Sequence, residues 1–571
     1  MTRTASEQLW ATLRALGADC VFGLPGSQTI DAFQALKRSG LRTIVPTHEM
    51  AAAFMANGYA RASGRTGIVA TIPGPGFTYA LTGLAEAWLD SAPLLHVVPD
   101  ARTLPDYDFA LQAIDQRAIA APIVKRIVHV TEADAIGAAA VEAYRLATAG
   151  EPGPVILKIT EAVFAARSAG AVEAGSTAAP ADPPASEVTE IAALIADAPR
   201  VLLYLGAGAV NSAASARELA DATHAAVVTT TTARGVVDEN HPRVVVRDPG
   251  VQDTAVLNAL VENADLVIAI GCKFSHNGTA GFELRLPELK LVTINASGPS
   301  NNYPARLHAT ADAGRFLAAL LPRLARRAAD AAGWDANELA AWREAALRFE
   351  HDARIEPRHE GTGTPASSIV RELRAALPAD AIVVTDSGLH QMSVRRHFTV
   401  RNPRGLIVPT NFQSMGFALP AAIGAALAVP DRRVVAVVGD GGMLISGLEL
   451  ITAVREQIPL TVVVFNDGAY GLIRIAQLSG HGESHGTELL SPDFEALAAA
   501  TGADYRLVGA EGLAAAIAED RWDGSSVRLV EVPLTDSPGL KRVRARGKLR
   551  ATARRVISPK GRARLARKFR R

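Results

Sequence analysis

The stretch from Val434 to Gly471 reads VVAVVGDGGMLISGLELITAVREQIPLTVVVFNDGAYG, two apolar runs flanking a helical pattern. Val434 to Val438 is a continuous apolar run rich in β-branched residues, the pattern of a strand buried on both faces. It ends in Gly439-Asp440-Gly441, where glycines let a ligand approach the backbone closely. Ser446 and Glu449 fit the S-x-x-E capping box and predict an amphipathic helix of about three turns. Thr461 to Phe465 is a second apolar run, ending at Asn466-Asp467, 27 residues beyond Asp440. The result is a βαβ unit with one carboxylate at the C-terminal end of each strand, the edge where open α/β sheets bind ligands. Two carboxylates and a backbone carbonyl make a hard oxygen site suited to Mg²⁺ holding a diphosphate. A Gly-Asp turn after a buried strand is common by itself. The reading rests on the spacing of the whole assembly.

Outward from this unit, the chain of 571 residues is too long for one core. Strand and helix patterns alternate throughout, which predicts an α/β protein of three domains with parallel sheets flanked by helices. We place the domains at residues 1–165, 188–325 and 360–535. A basic tail follows at 536–571. Residues 164–187, rich in Ala, Gly, Ser and Pro, read as an extended linker. In the middle segment VLLYLGAGA, DLVIAIG and LKLVTIN read as strands. Residues 326–358 read as one or two charged helices. Hydrophobic residues make up 49% and charged residues 20% of the chain, which excludes a disordered protein.

The net charge of +1 hides an asymmetry. The tail from Lys541 to Arg571 holds 15 Lys or Arg and no acid, which leaves −14 on residues 1–540. Such a run reads as a solvated arm that the chemistry does not require. No nucleic-acid partner is expected. No apolar run reaches the ~18 residues of a membrane span, and the N-terminal helix pattern lacks a signal-peptide core. Cys20 and Cys272 match no metal-ligand spacing, so a cytoplasmic location is expected.

The first segment carries a second group of motifs: Phe22-Gly23-Leu24-Pro25-Gly26-Ser27, His48-Glu49, Pro73-Gly74-Pro75-Gly76, and Gly83-Leu84-Ala85-Glu86-Ala87 before Asp90-Ser91-Ala92-Pro93. The third adds Thr385-Asp386-Ser387-Gly388-Leu389-His390-Gln391-Met392 and Gln413-Ser414-Met415-Gly416. In this order, up to about residue 535, the chain resembles thiamine diphosphate (ThDP) enzymes of the acetohydroxyacid (acetolactate) synthase/benzoylformate decarboxylase superfamily. The three domains then become pyrimidine-binding, central Rossmann-like and diphosphate-binding.

The resemblance implies the site residues. Glu49, Gln112 and Met415 are the catalytic candidates. Gly23, Pro25, Gly26, Gly74, Gly76, Gln391, Gln413, Met415, Gly439, Asp440, Gly441, Gly442, Asp467 and Tyr470 would bind the cofactor. Asp440, Asp467 and the carbonyl of Ala469 would bind Mg²⁺. The family usually has Asn where Asp467 stands, so this site carries an extra negative charge. Glu49 would hydrogen-bond a pyrimidine nitrogen and promote the imino form, while Met415 holds the cofactor bent. The two halves of the site would meet across a homodimer interface, in a dimer or a homotetramer.

The implied reaction is decarboxylation of a small 2-oxo acid followed by carboligation, as in acetolactate synthase. Gln112, Lys125, His390, Gln391 and Met392 match positions of that enzyme, although Leu111 replaces its usual Phe. Ser27 matches the carboxylate-contacting serine of benzoylformate decarboxylase, but Ile72 stands where that enzyme has a catalytic histidine. A carboligase needs such a proton donor less than a simple decarboxylase does. A non-ligating 2-oxo acid decarboxylase is the alternative, followed by another carboligase or lyase of the family. In the middle segment Gly206-Ala207-Gly208 is an incomplete dinucleotide fingerprint, with Asn211 in place of the third glycine. Asn295 and Lys273-Phe274-Ser275 depart from the flavin-binding members, so FAD is not favoured.

Overall fold

The computed structural model describes residues 3–100, 110–172, 181–325, 333–347, 356–518, 526–537 and 539–557. Three large sheets follow one another along the chain, as the alternating patterns predict. The first has six parallel strands in the order Arg42–Ile44, Cys20–Gly23, Gly67–Ala70, Leu94–Asp100, Pro154–Thr160 and Arg126–Val130. The second is also six-stranded and parallel, ordered Val244–Arg247, Ala226–Thr229, Val201–Leu205, Leu266–Ile270, Leu291–Asn295 and Leu307–Thr310. Its third, fourth and fifth strands are the apolar runs legible in the sequence.

The third sheet has seven strands, and its centre is the pair Val434–Gly439 and Leu460–Asn466. Ile382–Thr385 lies beside the first and Val527–Thr535 beside the second. All pairings in this sheet are parallel except that of the short edge strand Arg358–His359. Both central strands are buried along almost their whole length, as helices on both faces of a parallel sheet require.

One hydrophobic core serves the first and third sheets together: Phe22, Phe54, Phe77, Phe417, Val438 and Val464 belong to it in common. Its centre is the pair of helices Glu49–Ser63 and Ala418–Ala428. Their backbones touch through two glycines. A Cβ on Gly58 would lie 1.9 Å from the Ala421 carbonyl oxygen, and one on Gly424 would lie 1.8 Å from that of Met55. The small-residue stretch LPAAIGAALA is therefore an interface that any larger side chain would separate.

Local structure differs from the sequence reading in three places. Ser446 does not cap a three-turn helix. Helix Asp440–Ser446 begins directly at the motif, a second short helix runs Glu449–Arg455, and Ser446 is the last residue of the first. Part of the linker is ordered: Glu161–Ala165 is helical, Arg167–Ser168 pairs with Arg3–Thr4, and helix Ala185–Asp197 opens the middle segment. Of the charged segment at 326–358, Ala336–Leu347 is one helix; 326–332 and 348–355 lie outside the described residues.

The basic tail, too, is structured where it is described. Leu540–Ile557 is a helix packed on helix Gly471–His481. Leu540 and Gly547 are buried in it, and a Cβ on Gly547 would lie 1.9 Å from the Leu478 carbonyl oxygen. The arm is thus docked through a glycine contact, with Arg542, Arg544, Arg546 and Arg550 exposed. Residues 558–571 lie outside the described residues.

Candidate active site

Asp440 and Asp467 leave the same edge of the third sheet side by side, because Gly439 is paired in register with Phe465. Asp440 Oδ2 accepts a hydrogen bond from Ser491 Oγ at 2.8 Å, and Oδ1 accepts one from the Gly441 N–H at 3.0 Å. The N–H groups of Gly468 and Ala469 also turn towards Asp440, so the loop after the second strand wraps around it. Asp467 Oδ2 is buried and accepts no hydrogen bond among the described residues. Burial, and then the charge of Asp440, push the Asp467 carboxyl up to about 7. Burial raises Asp440 as well. Two adjacent carboxylates held this way are short of positive charge.

A cleft opens over these two residues. Its floor is backbone. A Cβ on Gly442 would lie 2.3 Å from Asp386 Oδ2, and one on Gly471 would lie 2.2 Å from Asp467 Oδ2. Gly439, Gly441, Ala469 and Tyr470 also line it, with Met415 and His390 on the walls. Two carboxylates, one of whose oxygens accepts no hydrogen bond among the described residues, and a floor without side chains fit Mg²⁺ and a diphosphate.

Gln413 sits beside this cleft in the left-handed region, at φ +63°. Its Nε2 donates to the Thr410 carbonyl at 2.6 Å, and its Oε1 accepts from Ser387 Oγ at 3.2 Å. Gln391 is buried, with its Nε2 lacking a partner among the described residues. Burial holds the His390 imidazole down to about 4, so it is neutral near pH 7.

Asp386 belongs to one of the sequence motifs, yet its role is one that sequence reasoning missed. Its Oδ2 accepts from the Gly416 N–H at 2.8 Å and its Oδ1 from the Ser387 N–H at 2.6 Å. It thereby holds the turn that carries Met415, and burial pushes its carboxyl up to about 7. The available signal was its place at the end of an apolar run, like Asp440 and Asp467. A second buried acid grips the same turn from the first sheet's side. Glu86 Oε2 accepts from the N–H and Oγ of Ser414, at 3.1 and 2.7 Å.

The remaining candidates converge elsewhere. Glu49 opens helix Glu49–Ser63, capped by His48, whose Nδ1 accepts from the Met50 N–H at 3.1 Å. Glu49 Oε1 lies 3.1 Å from where a Gly76 Cβ would stand. Ile72 packs against both Gly26 and Gly76, at 2.4 and 2.6 Å from their absent Cβ positions. Gln112 lies over Gly74, and its Oε1 accepts from Gln28 Nε2 at 2.6 Å. Pro25 lies in the turn between strand Cys20–Gly23 and the 3₁₀ turn Ser27–Thr29. Gly23 packs on the Ala70 backbone and so serves the sheet.

The two groups of candidates do not share a cleft. The cleft at Asp440 is lined only by residues between Pro357 and Leu534, which include neither Glu49 nor Gln112. Lys125 stands apart from both: its Nζ ties the carbonyls of Ala149 and Glu151, at 2.6 and 2.7 Å. Lys273 reaches from the middle segment to Glu151, at 2.7 Å, and to the Trp88 and Leu89 carbonyls.

Comparison with known proteins agrees with this architecture. Residues 3–119 match the N-terminal TPP binding domain of thiamine pyrophosphate enzymes, 188–320 their central domain, and 386–532 their C-terminal TPP binding domain. The chain is 33% identical over 522 residues to an acetolactate synthase large subunit from Parasynechococcus marenigrum, covering 88% of this chain and 83% of that one. It is 31% identical over 496 residues to the acetolactate synthase isozyme 2 large subunit of Escherichia coli, covering 86% and 88%. It is also 34% identical over 518 residues to a probable 2-ketoarginine decarboxylase of Pseudomonas aeruginosa, covering 88% and 89%. With three sheets in this order and a glycine-floored carboxylate pair on the third, the chain belongs to the thiamine diphosphate-dependent enzymes of the acetolactate synthase/decarboxylase superfamily.

Proposed function

We propose that this enzyme decarboxylates a small 2-oxo acid and ligates the remaining fragment to a second carbonyl compound, in the manner of an acetolactate synthase. Thiamine diphosphate, when bound, supplies a nucleophilic carbon and an electron sink for the loss of carbon dioxide. Asp440, Asp467 and the Ala469 carbonyl would hold Mg²⁺, which would in turn hold the diphosphate. Glu49 would hold a proton at a pyrimidine nitrogen, Met415 would support the cofactor from the cleft wall, and Gln112, oriented by Gln28, would contact the substrate.

The observation that carries ligation over simple decarboxylation is Ile72. Its aliphatic side chain fills the space between Gly26 and Gly76, beside Glu49. Release of an aldehyde needs a proton delivered to carbon, and an apolar wall supplies none. His96, bonded to Thr71 Oγ1 at 2.8 Å, is fully buried and pushed down to about 3, so it too is a poor donor. The similarity to a probable 2-ketoarginine decarboxylase supports the second reading, a non-ligating 2-oxo acid decarboxylase.

The working unit in this proposal is a homodimer, or a tetramer of two such dimers, that brings Glu49 of one chain to the Asp440 cleft of the other. Two features support it. Glu49 is only half-buried, and the helices that follow Asp440 present Leu444, Ile445, Leu448 and Ile451 to solvent as one apolar stripe. Cys20 and Cys272 are buried free thiols, which suits a reducing compartment such as the cytoplasm. No described helix is long and apolar enough to cross a membrane.

The test is incubation with pyruvate, ThDP and Mg²⁺, scoring carbon dioxide, acetaldehyde and acetolactate together. Acetolactate as the main product supports the proposal. Dominant acetaldehyde assigns the decarboxylase instead.

A further inference from the structure

Asp467 brings a charge to the metal loop that an Asn would not, and the structure shows what stands opposite it. Helix Gly471–His481 starts four residues after Asp467 and places Arg474 in its first turn. Arg474 Nη2 lies 3.5 Å from Asp467 Oδ2 and 2.6 Å from Asp536 Oδ1. The Asp467 and Arg474 side chains are only 11% and 17% exposed, whereas Asp536 is 52% exposed. The contact is thus mostly out of water, where charges act on each other more strongly than at the surface. Arg474 faces the one oxygen of Asp467 that accepts no hydrogen bond among the described residues.

We propose that Arg474 is the counter-charge that lets a two-aspartate metal loop retain a diphosphate. The proposal rests on the assignment of Asp440 and Asp467 to Mg²⁺–diphosphate binding. Two carboxylates strengthen the hold on a cation but repel the phosphoryl oxygens that must lie beside it. A guanidinium against Asp467 returns the field at the diphosphate towards that of an Asp/Asn pair, while both oxygen ligands stay in place. Arg suits the position because it stays charged at any working pH.

The signature is an effect of opposite sign on the two ligands. In Arg474→Gln, Mn²⁺ without cofactor should bind the apoenzyme more tightly, because a nearby positive charge has gone. ThDP at saturating Mg²⁺ should bind about tenfold more weakly, because uncompensated negative charge remains beside its diphosphate. Arg474→Lys should restore much of the ThDP affinity. Adding Asp467→Asn to Arg474→Gln should also recover it. Asp467→Asn alone should weaken Mn²⁺ without weakening ThDP, and this variant keeps the test open if Arg474→Gln folds poorly.

Mn²⁺ binding is read by electron paramagnetic resonance, and ThDP binding by quenching of tryptophan fluorescence. Arg474→Gln weakening both ligands together, or neither, overturns the proposal, as does a double variant that fails to recover. Asp440→Asn serves as the control on the site itself. Should it also leave ThDP binding intact, the metal assignment has failed. Should it lose ThDP while Arg474→Gln behaves like the parent, only the counter-charge has failed.

Discussion

Glu449 Oε1 accepts hydrogen bonds from both the backbone N–H and the hydroxyl of Thr47, at 3.0 and 2.5 Å. The pair joins the helix after the diphosphate motif to the turn that delivers Glu49, 402 residues away in sequence. Thr452 Oγ1 completes the cluster at 2.7 Å. Glu449→Ala leaves the buried Thr452 hydroxyl without its acceptor and should cost about 1–3 kcal/mol of stability. It should also lower turnover by shifting Glu49, whereas Glu449→Gln, which can still accept from Thr47, should cost less on both counts. Chemical denaturation and steady-state rates of the two variants check this.

Glu49 and Asp440 should fail in different ways. Glu49→Gln keeps size and reach but cannot hold the pyrimidine proton, so turnover should fall by about 10²–10³, or about 3–4 kcal/mol. ThDP affinity should fall far less. Asp440→Asn should lose cofactor first. Cofactor titration and the C2-proton exchange rate by NMR separate the two. Unchanged exchange in Glu49→Gln would place the activating carboxylate elsewhere.

Glu86 gives the protein a pH dependence of definite sign. Burial, with Asp90 beside it, pushes its carboxyl up to about 8 from an ordinary value of 4.5. The folded state therefore binds this proton more tightly than the unfolded state does. Between about pH 4.5 and 8 the Glu86 contribution to stability falls as pH rises, by at most about 1.4 kcal/mol per pH unit. Asp386, pushed up to about 7, acts in the same direction. Melting temperatures across this range should decline less steeply with pH in Glu86→Gln than in the parent, and an equal slope in both would count against the assignment.

The docked tail makes Gly547 a sensitive position. Gly547→Ala would drive a methyl group into the Leu478 carbonyl, which the backbone contact does not allow. The helix Leu540–Ile557 should then detach, and trypsin should cleave at its arginines faster than in the parent. The melting temperature of the body should change little.

Ile72 tests the choice between ligation and aldehyde release. Ile72→His supplies a proton donor beside Glu49, and the ratio of acetaldehyde to acetolactate from pyruvate should rise severalfold. Product analysis by chromatography reads the ratio directly.

Much of the architecture was legible because it depends on local patterns. Continuous β-branched runs mark strands buried on both faces, and glycine motifs at their ends mark the ligand edge. The alternation of the two periodicities predicts an α/β protein with parallel sheets, which is the fold observed. Composition misled in the tail, where a run of like charge hid a glycine able to dock a helix. The Ser446–Glu449 spacing misled as well, because a capping box and an inward-turned glutamate look the same in one dimension.

What the sequence determined by itself is the order of strands and helices and the placing of Asp440 and Asp467 at consecutive strand ends, since periodicity and turn chemistry act over a few residues. Tertiary structure alone decided which buried polar group meets which: Glu449 with Thr47, Glu86 with Ser414, Arg474 between Asp467 and Asp536. A buried charge must find a partner or its pKa must move, and the partner is whatever packing brings within reach. For Glu449 with Thr47 and Glu86 with Ser414 the partners are brought together where helices Glu49–Ser63 and Ala418–Ala428, which lie in different domains, approach closely over a contact that no local pattern encodes.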